Sequence, residues 1–244
     1  MFSFICVYND DEILDKYLKN SVKKLKGDYE LILIDNRQDQ FSSCASALNH
    51  GAKSAKGDYL VFLHQDINFT DENWIDNTLN QINKLDNPGI IGVAGKIDKK
   101  HKGNNNHYKI YSNIKDGLNP TDASPYKLEK AEIASTVDEC LFIIPKKVFD
   151  LYQFDEVVCD NWHLYGVDYT YSIKNKGYLA YIIPSVLEHR SGGYSMSDDY
   201  FKTLKNLQKK HEDEKVIYTC MGDWIRVLPV SCHKLFYSIV SKIT

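Results

Sequence analysis

A chain of 244 residues, 43% hydrophobic and 26% charged, is long enough for one large core with a small appendage. Its formal net charge of −3 offers no basic face, which argues against nucleic acid as a partner. Six scattered cysteines with no C-x-x-C pair point to a reducing cytosol rather than a disulfide framework, and no run reaches the ~18 apolar residues of a membrane span.

Phe2–Tyr8 is rich in β-branched and aromatic residues and reads as a strand. It ends on Asn9-Asp10-Asp11-Glu12, too short a run and too acidic a flank for a signal peptide. Ile13, Leu14, Tyr17, Leu18, Val22 and Leu25 recur at helical spacing, and Gly27 stops the helix. A second strand, Glu30–Ile34, ends at Asp35. Ser42–Ala55 reads as a small-residue helix. The third strand, Asp58–Leu63, is continuously apolar after its first residue, as a strand buried on both faces must be, and it stops on His64, Gln65 and Asp66. Thr70 is placed to cap a helix with an apolar face of Trp74, Ile75, Leu79, Ile82 and Leu85. Asn87-Pro88-Gly89 breaks that helix, and Ile90–Ala94 reads as a fourth strand.

Strands alternating with helices predict an α/β fold with a mostly parallel sheet and right-handed crossovers. Neither Gly-x-Gly-x-x-Gly nor a Walker A loop follows the first strand, where Tyr8-Asn9-Asp10 stands instead. Lys96–Ser135 breaks the rhythm. It carries Lys96, Lys99, Lys100 and Lys102 and a polar stretch at Asn104–Asn106, and reads as a long irregular insertion of the kind that is either functional or disordered. Order returns with a strand at Cys140–Ile144, a helix at His163–Lys176 ended by Gly177, a strand at Tyr178–Ile183 and a charged helix at Ser197–His211. In the tail, Trp224–Ile243, Pro229 prevents one uninterrupted helix. Cys159-x-x-x-His163 lacks a partner pair and is a poor zinc signal.

In open α/β sheets, ligands bind beyond the carboxyl ends of the strands, and Asp35 and Asp66 both fall there. With the pieces in order, the chain resembles the GT-A class of glycosyltransferases, and specifically family 2, over residues 1–195. The matching pieces are a first strand ending in Tyr8-Asn9, a second ending in Asp35-Asn36, the run Asn49–Asp58, the strand LVFLHQD, Gly166-Val167-Asp168 ahead of Gly177-Tyr178, and His189-Arg190. The HQD variant and WHLYGVDYTYSIKNKGY look most like the StrF-like subgroup. The resemblance implies a Rossmann-like, mostly parallel central sheet flanked by helices, with a GT-A domain over 1–217, a variable acceptor-side insertion at 96–135 and a C-terminal helical tail over 218–244.

It also implies roles. Asp66 takes the last position of the family's D-x-D motif and, with His189, would hold a divalent cation, Mn²⁺ or Mg²⁺, weakly without donor. The first Asp of that motif is here His64, which removes a charge and suits Mn²⁺ better than Mg²⁺. Tyr8, Asn9, Asp35, Asn36, Lys53, His64 and Gln65 would line the donor pocket; the plainer role for Lys53 is a solvated helix charge. Asp168 would be the base that takes the acceptor hydroxyl's proton, although Val167 replaces the family's Glu and an Asp at a helix start also stabilises the macrodipole. Glu139, Trp162 and Tyr165 fall on the acceptor side, with Asp138 and Glu139 as reserve carboxylates.

The expected activity is transfer of a sugar from a nucleotide-diphosphate donor, a UDP-sugar first, to a hydroxyl of a glycan or lipid-linked glycan, with inversion, in bacterial surface polysaccharide synthesis. The alternative from another class is a catalytically idle nucleotide-sugar-binding or scaffold protein, suggested by His64 and Val167. A nucleotidyltransferase would need a Gly-rich loop after the first strand, which is missing. The expected location is cytoplasmic. The tail is expected to pack on its own domain or on a dimer mate, with peripheral contact to an anionic membrane surface as the alternative.

Overall fold

A computed structural model of the chain describes residues 1–99, 108–192 and 196–240. Lys100, Lys102, Asn104–Asn106 and the tail residues beyond 240 lie outside them. The opening apolar run forms β1 (Phe2–Tyr8). Asp10 caps α1 (Asp11–Leu14), its Oδ1 accepting from the Ile13 N–H at 3.0 Å. A π-helical turn over Asp15–Lys19 leads into α2 (Asn20–Val22), so the expected single helix comes in three pieces. Gly27 ends it at φ +107°, a conformation that a Cβ disfavours. Then come β2 (Tyr29–Asp35), α3 (Cys44–Ala52) capped by Ser43, and β3 (Tyr59–Leu63).

A short strand unforeseen in the sequence, β4 (Ile67–Phe69), follows Asp66 at once. α4 (Trp74–Ile82) starts later than Thr70 suggests, because the Thr70 hydroxyl donates instead to the Val186 carbonyl at 3.3 Å. The fourth apolar run divides between β5 (Pro88–Gly92) and β6 (Ala94–Asp98). The expected irregular insertion is rich in strand: β7 (Tyr108–Ser112), β8 (Lys115–Asp116), β9 (Thr121–Asp122) and β10 (Glu132–Ile133). The chain continues with β11 (Thr136–Val137), β12 (Leu141–Pro145), α5 (Lys146–Phe149), α6 (Tyr165–Lys174), β13 (Leu179–Ile182) and β14 (Leu187–His189). It closes with α7 (Asp198–Lys210), β15 (Val216–Thr219), β16 (Gly222–Ile225) and α8 (Val230–Val240).

The central sheet runs β10-β13-β5-β12-β3-β1-β2. β1 pairs parallel with β2 and β3, and β13 with β5, while β12 lies antiparallel between β3 and β5. Alternating side chains divide the core into two layers. Ile5, Leu60, Phe62, Phe142 and Ile144 pack against α3, α5 and α6 on one face; Phe2, Phe4, Val61, Leu63 and Ile143 pack against α1, α2 and α4 on the other. Strands buried on both faces explain the unbroken apolar runs of the sequence.

Two consequences place the site. The parallel strands β1, β2 and β3 bring Tyr8, Asp35 and His64 to one end of the sheet, and antiparallel β12 starts at that same end, so Asp138 and Glu139 arrive there too. β4 turns back from Asp66 and pairs with β14, setting His189 opposite Ile67, while β8 pairs with β14 and sets Asp116 opposite His189. The β15–β16 hairpin spans residue 217, so a domain boundary at 217/218 falls inside a strand. Trp224 is buried edge-on against Tyr200 and Phe201, and the start of the tail is part of the main body.

Candidate active site

Two hollows meet at the carboxyl end of β3. A cleft of about 280 Å³ is lined by Tyr8, Asn9, Asn36, Asp39, Gln65 and Asp66. A deeper cavity of about 450 Å³ is lined by Asp116, Asp138, Glu139, His163 and His189, with apolar residues from β7 and the β15–β16 hairpin. His64 and Trp162 line both.

Between the hollows stands a cluster of His64, Asp66 and His189, each offering one ligand atom within 4.8 Å of the others. His64 Nδ1 and His189 Nε2 are 3.2 Å apart, and His189 Nε2 is 3.4 Å from Asp66 Oδ1. Asp116 Oδ1 sits 2.9 Å from His189 Nδ1 and fixes the ring so that its other nitrogen faces Asp66. Burial disfavours the charged form of His189, but Asp116 and Asp66 outweigh it and hold the imidazolium up to about 10. Burial and the neighbouring His189 charge push His64 down. Asp66 Oδ1 is buried, which pushes the carboxyl up, but its partner, the long 3.4 Å contact to His189 Nε2, together with the charge of that ring keeps the carboxyl below its ordinary range. A divalent cation fits this donor set. It would have to displace the proton of His189 Nε2, and the two neutral imidazoles and one carboxylate then left suit a borderline ion such as Mn²⁺.

Glu139 shapes the far wall. Its Oε1 accepts from the Gly166 N–H at 2.7 Å and its Oε2 from the Leu164 N–H at 3.1 Å, at the start of α6. A Cβ at position 166 would stand 3.1 Å from Glu139 Cγ, so a larger residue there would make the Glu139 side chain shift by a few tenths of an ångström. Leu164 is left-handed at φ +65°, a strained state that Glu139 holds in place. Burial pushes the Glu139 carboxyl up to about 8 despite those two backbone donors.

The residues singled out from the sequence divide. Tyr8, Asn9, Asn36, His64, Gln65, Asp66, Glu139, Trp162 and His189 line one hollow or the other. Gln65 also clamps the turn after β1: its Oε1 accepts from the Asn9 and Asp10 N–H groups at 3.0 and 3.1 Å, and its Nε2 donates to Asn9 Oδ1 at 2.8 Å. Asn36 latches its own turn through the Phe41 backbone. Trp162 is 40% exposed at the shared mouth.

Four of the expected residues line neither hollow. Asp168, read as the base, is 2% exposed and lines neither hollow. One turn into α6 it faces α7, where Lys210 Nζ and His211 Nε2 each come within 2.7 Å of it. Tyr165 is 3% exposed and packs among Phe142 and Phe154, so it is a core ring rather than a platform for a sugar. Asp35 is held by Arg37, whose Nε lies 2.9 Å from Oδ1, and that guanidinium keeps the carboxyl well below the usual range. Lys53 closes α3 and lines a separate hollow with Asp35, Phe41 and His50.

Sequence reasoning missed Asp116, His163 and the hairpin residues Thr219, Cys220 and Met221, all on the cavity wall. His163 Nε2 lies 3.0 Å from the Ser197 hydroxyl, tying the wall to the cap of α7. No local pattern marks these residues; only the pairing of β8 with β14 and of β15 with β16 brings them in. The six cysteines are free, and four are buried. Among the described residues no helix is long and apolar enough to cross a membrane.

Comparisons with known proteins agree with this architecture. Residues 3–216 match the model of a group described as glycosyltransferase like family. Over 109 residues the chain is 32% identical to an uncharacterized glycosyltransferase of Rickettsia typhi, covering 43% of this chain and 31% of that protein. Among solved structures, the mannosyltransferase PcManGT from Pyrobaculum calidifontis, in complex with GDP-Man and Mn²⁺, aligns with TM-score 0.56 at 13% identity, over 87% of this chain and 64% of that one. GalNAc-T7 with UDP, GalNAc and Mn²⁺ gives 0.59 at 17%, over 85% and 47%. S. aureus TarS 1-349 in complex with UDP-GlcNAc gives 0.54 at 13%, over 86% and 66%. The chain therefore spans less than two thirds of each of these relatives, and the structural likeness establishes the GT-A fold. With its family model matched over nearly its whole length, the chain belongs to the glycosyltransferase-like family, within family 2 of the glycosyltransferases.

Proposed function

We propose that the protein transfers a sugar from a nucleotide-diphosphate donor to an acceptor hydroxyl, with the donor in the Tyr8–Asp66 cleft and the acceptor in the cavity walled by Glu139. One observation carries this reading: the buried Asp66 carboxylate and two imidazoles converge, each with a ligand atom within 4.8 Å of the others, where the two hollows join. His64, Asp66 and His189 would hold a divalent cation, which supplies positive charge against the diphosphate leaving group. Tyr8, Asn9, Asn36 and Gln65 would bind the nucleotide, with UDP the first choice because GalNAc-T7 and TarS were solved with UDP or a UDP-sugar.

The base is reassigned to Glu139. Its carboxyl lines the cavity, and burial pushes it up to about 8, which makes it a stronger base than an exposed carboxylate. Glu139 takes the proton of the acceptor hydroxyl while that oxygen attacks the anomeric carbon from the face opposite the leaving diphosphate, which gives inversion. The turn between β1 and α1, clamped by Gln65, keeps the nucleotide side fixed during the step. The acceptor class expected is a glycan or lipid-linked glycan of a bacterial surface polysaccharide, and the HQD and VDY segments resemble the StrF-like subgroup.

The test is a thermal-shift panel of UDP-, GDP-, CMP- and dTDP-sugars with and without Mn²⁺. A ligand at 100 times its Kd stabilises by about 2.7 kcal/mol, a readily measured shift. A UDP-sugar should raise the midpoint with Mn²⁺, and Asp66→Asn should remove that dependence; no shift with any nucleotide would sink the reading. Product NMR reads the anomeric configuration. A second reading, an idle nucleotide-sugar-binding protein, is favoured by His64 at the first motif position. Slow donor hydrolysis by the wild type would eliminate it.

A further inference from the structure

We infer that the acceptor ring entering the 450 Å³ cavity is uncharged or amino-substituted, and that Asp138 is the residue that turns anionic acceptors away. The inference rests on the proposed transfer reading and adds the chemical class of the acceptor. The cavity has the size of an ordinary small-molecule site. Its lining combines the carboxylates Asp116, Asp138 and Glu139 with apolar side chains, among them Ile110, Ile114 and Met221. A sugar ring presents hydroxyl donors at its rim and an apolar face. Carboxylates, which only accept when ionised, pair with the first, and the aliphatic wall covers the second.

Among the described residues, no lysine or arginine lines this cavity. The cations around it are engaged elsewhere. Lys96 is 7% exposed and ion-paired with Asp223. Arg190 lies 2.7 Å from Glu188, and Lys210 binds Asp155 and Asp168. His189 is held between Asp66 and Asp116. Away from the His64–Asp66–His189 cluster, a phosphate or uronate carboxylate would meet the Asp138 carboxylate with, among the described residues, no lysine or arginine lining the cavity to pair with it, a costly burial.

The three carboxylates differ in their partners. Asp116 faces His189, and Glu139 accepts two backbone N–H groups. Asp138 Oδ1 accepts from the Cys140 N–H at 3.0 Å, and among the described residues no cationic side chain forms an ion pair with it. The thiols of Cys140 and Cys220 lie against it; desolvation and the charge of Asp138 itself push both up, so they stay neutral. Asp138 is thus the carboxylate with charge to spare for an entering ring. An ammonium substituent would pair with it, a hydroxyl would donate to it, and an anion would be repelled.

The experiment uses the full chain saturated with UDP and Mn²⁺. Methyl glucoside, its 2-amino-2-deoxy analogue, methyl glucuronide and glucose 6-phosphate are titrated by calorimetry, with saturation-transfer NMR on the same samples. The neutral and amino rings should bind at least about tenfold more tightly than the two anionic ones, as one close charge contact at intermediate screening allows. Asp138→Asn should shrink that gap to about threefold by raising affinity for the anions. Asp138→Ser is the second variant, since both replacements retain an oxygen for the Cys140 N–H. Anions binding as tightly as neutral rings, no ring binding at all, or a gap unchanged in both variants would overturn the inference. The UDP-induced thermal shift in the same samples keeps the two readings apart: its loss sinks the transfer reading, and its retention with an anionic preference sinks only the acceptor class.

Discussion

The cleft and the cavity that meet at Asp66 are built from different kinds of chain. The cleft is made by the ends of neighbouring parallel strands, β1 and β3, and by the turns that follow β1 and β2. The cavity is made by short strands, a hairpin and a helix start drawn from segments spread along the chain. The first is a scaffold edge whose polar residues are fixed by strand register. The second is assembled by long-range pairing, and its carboxylates Asp116 and Glu139 hold their positions through neighbours distant in sequence. Residues in the cleft should therefore tolerate change mainly in affinity, whereas those in the cavity should mix chemistry with fold.

The largest effect expected tests which carboxylate is the base. Glu139→Gln should lower transfer by about 10²–10⁴-fold, the range of general-base catalysis, while leaving the UDP-induced thermal shift in place. In the wild type, kcat/KM should rise with pH and level off above about 8, and Glu139→Gln should lose that limb. Asp138, Tyr165, Cys44 and Cys220 face the same carboxyl, so the limb's survival in Cys220→Ser would leave Glu139 as its source. Stability has the opposite sign. Folding raises this carboxyl from 4.5 to about 8, so its contribution is complete below 4.5 and is lost as pH rises through about 8. Thermal midpoints should fall over that window, and less so in Glu139→Gln.

Asp168 gives the contrast. Asp168→Asn leaves Lys210 and His211 without their buried carboxylate, at a cost of about 3–5 kcal/mol in denaturant unfolding. The folded fraction should keep near-normal turnover. A catalytic defect with full stability would restore Asp168 as the base and undo the comparison.

The cleft was legible in the sequence for a physical reason. A strand buried on both faces shows as an apolar run, and the polar residues that stop it, Tyr8-Asn9 and His64-Gln65-Asp66, fall at the ligand-binding end of the sheet. His189 came with the family resemblance. The choice between Glu139 and Asp168 was not legible, because both lie near the start of α6 and only the packing of α7 decides which one faces the cavity. Asp116 was hidden in a stretch that looked irregular; β8 is two residues long, and its partner lies more than 70 positions away. Arg37, which occupies Asp35, also lies in a turn that periodicity does not reach.

Asp116 supplies the next smaller effect. It orients His189 through Nδ1, so Asp116→Ala should weaken Mn²⁺ binding by about 10–100-fold, read by electron paramagnetic resonance of free Mn²⁺ without nucleotide. Asp116→Asn keeps an acceptor for that N–H and should recover part of the loss. Equal affinity in all three forms would remove Asp116 from the cluster.

Trp162 carries the smallest effect and the sharpest test of how the two hollows are joined. It is one of two residues that line both, and it is 40% exposed, so its truncation leaves the core intact. An aromatic face contributes about 0.5–1.5 kcal/mol beyond its buried area, so Trp162→Ala should raise Kd or KM by about 2–12-fold. A ring shared by donor and acceptor should raise both the UDP-sugar Kd and the acceptor KM, with kcat little changed. If only the acceptor KM moves, Trp162 belongs to the cavity, and the hollows meet through His64 alone. If only the donor Kd moves, the cavity's recognition of a sugar ring rests on its aliphatic wall and its carboxylates.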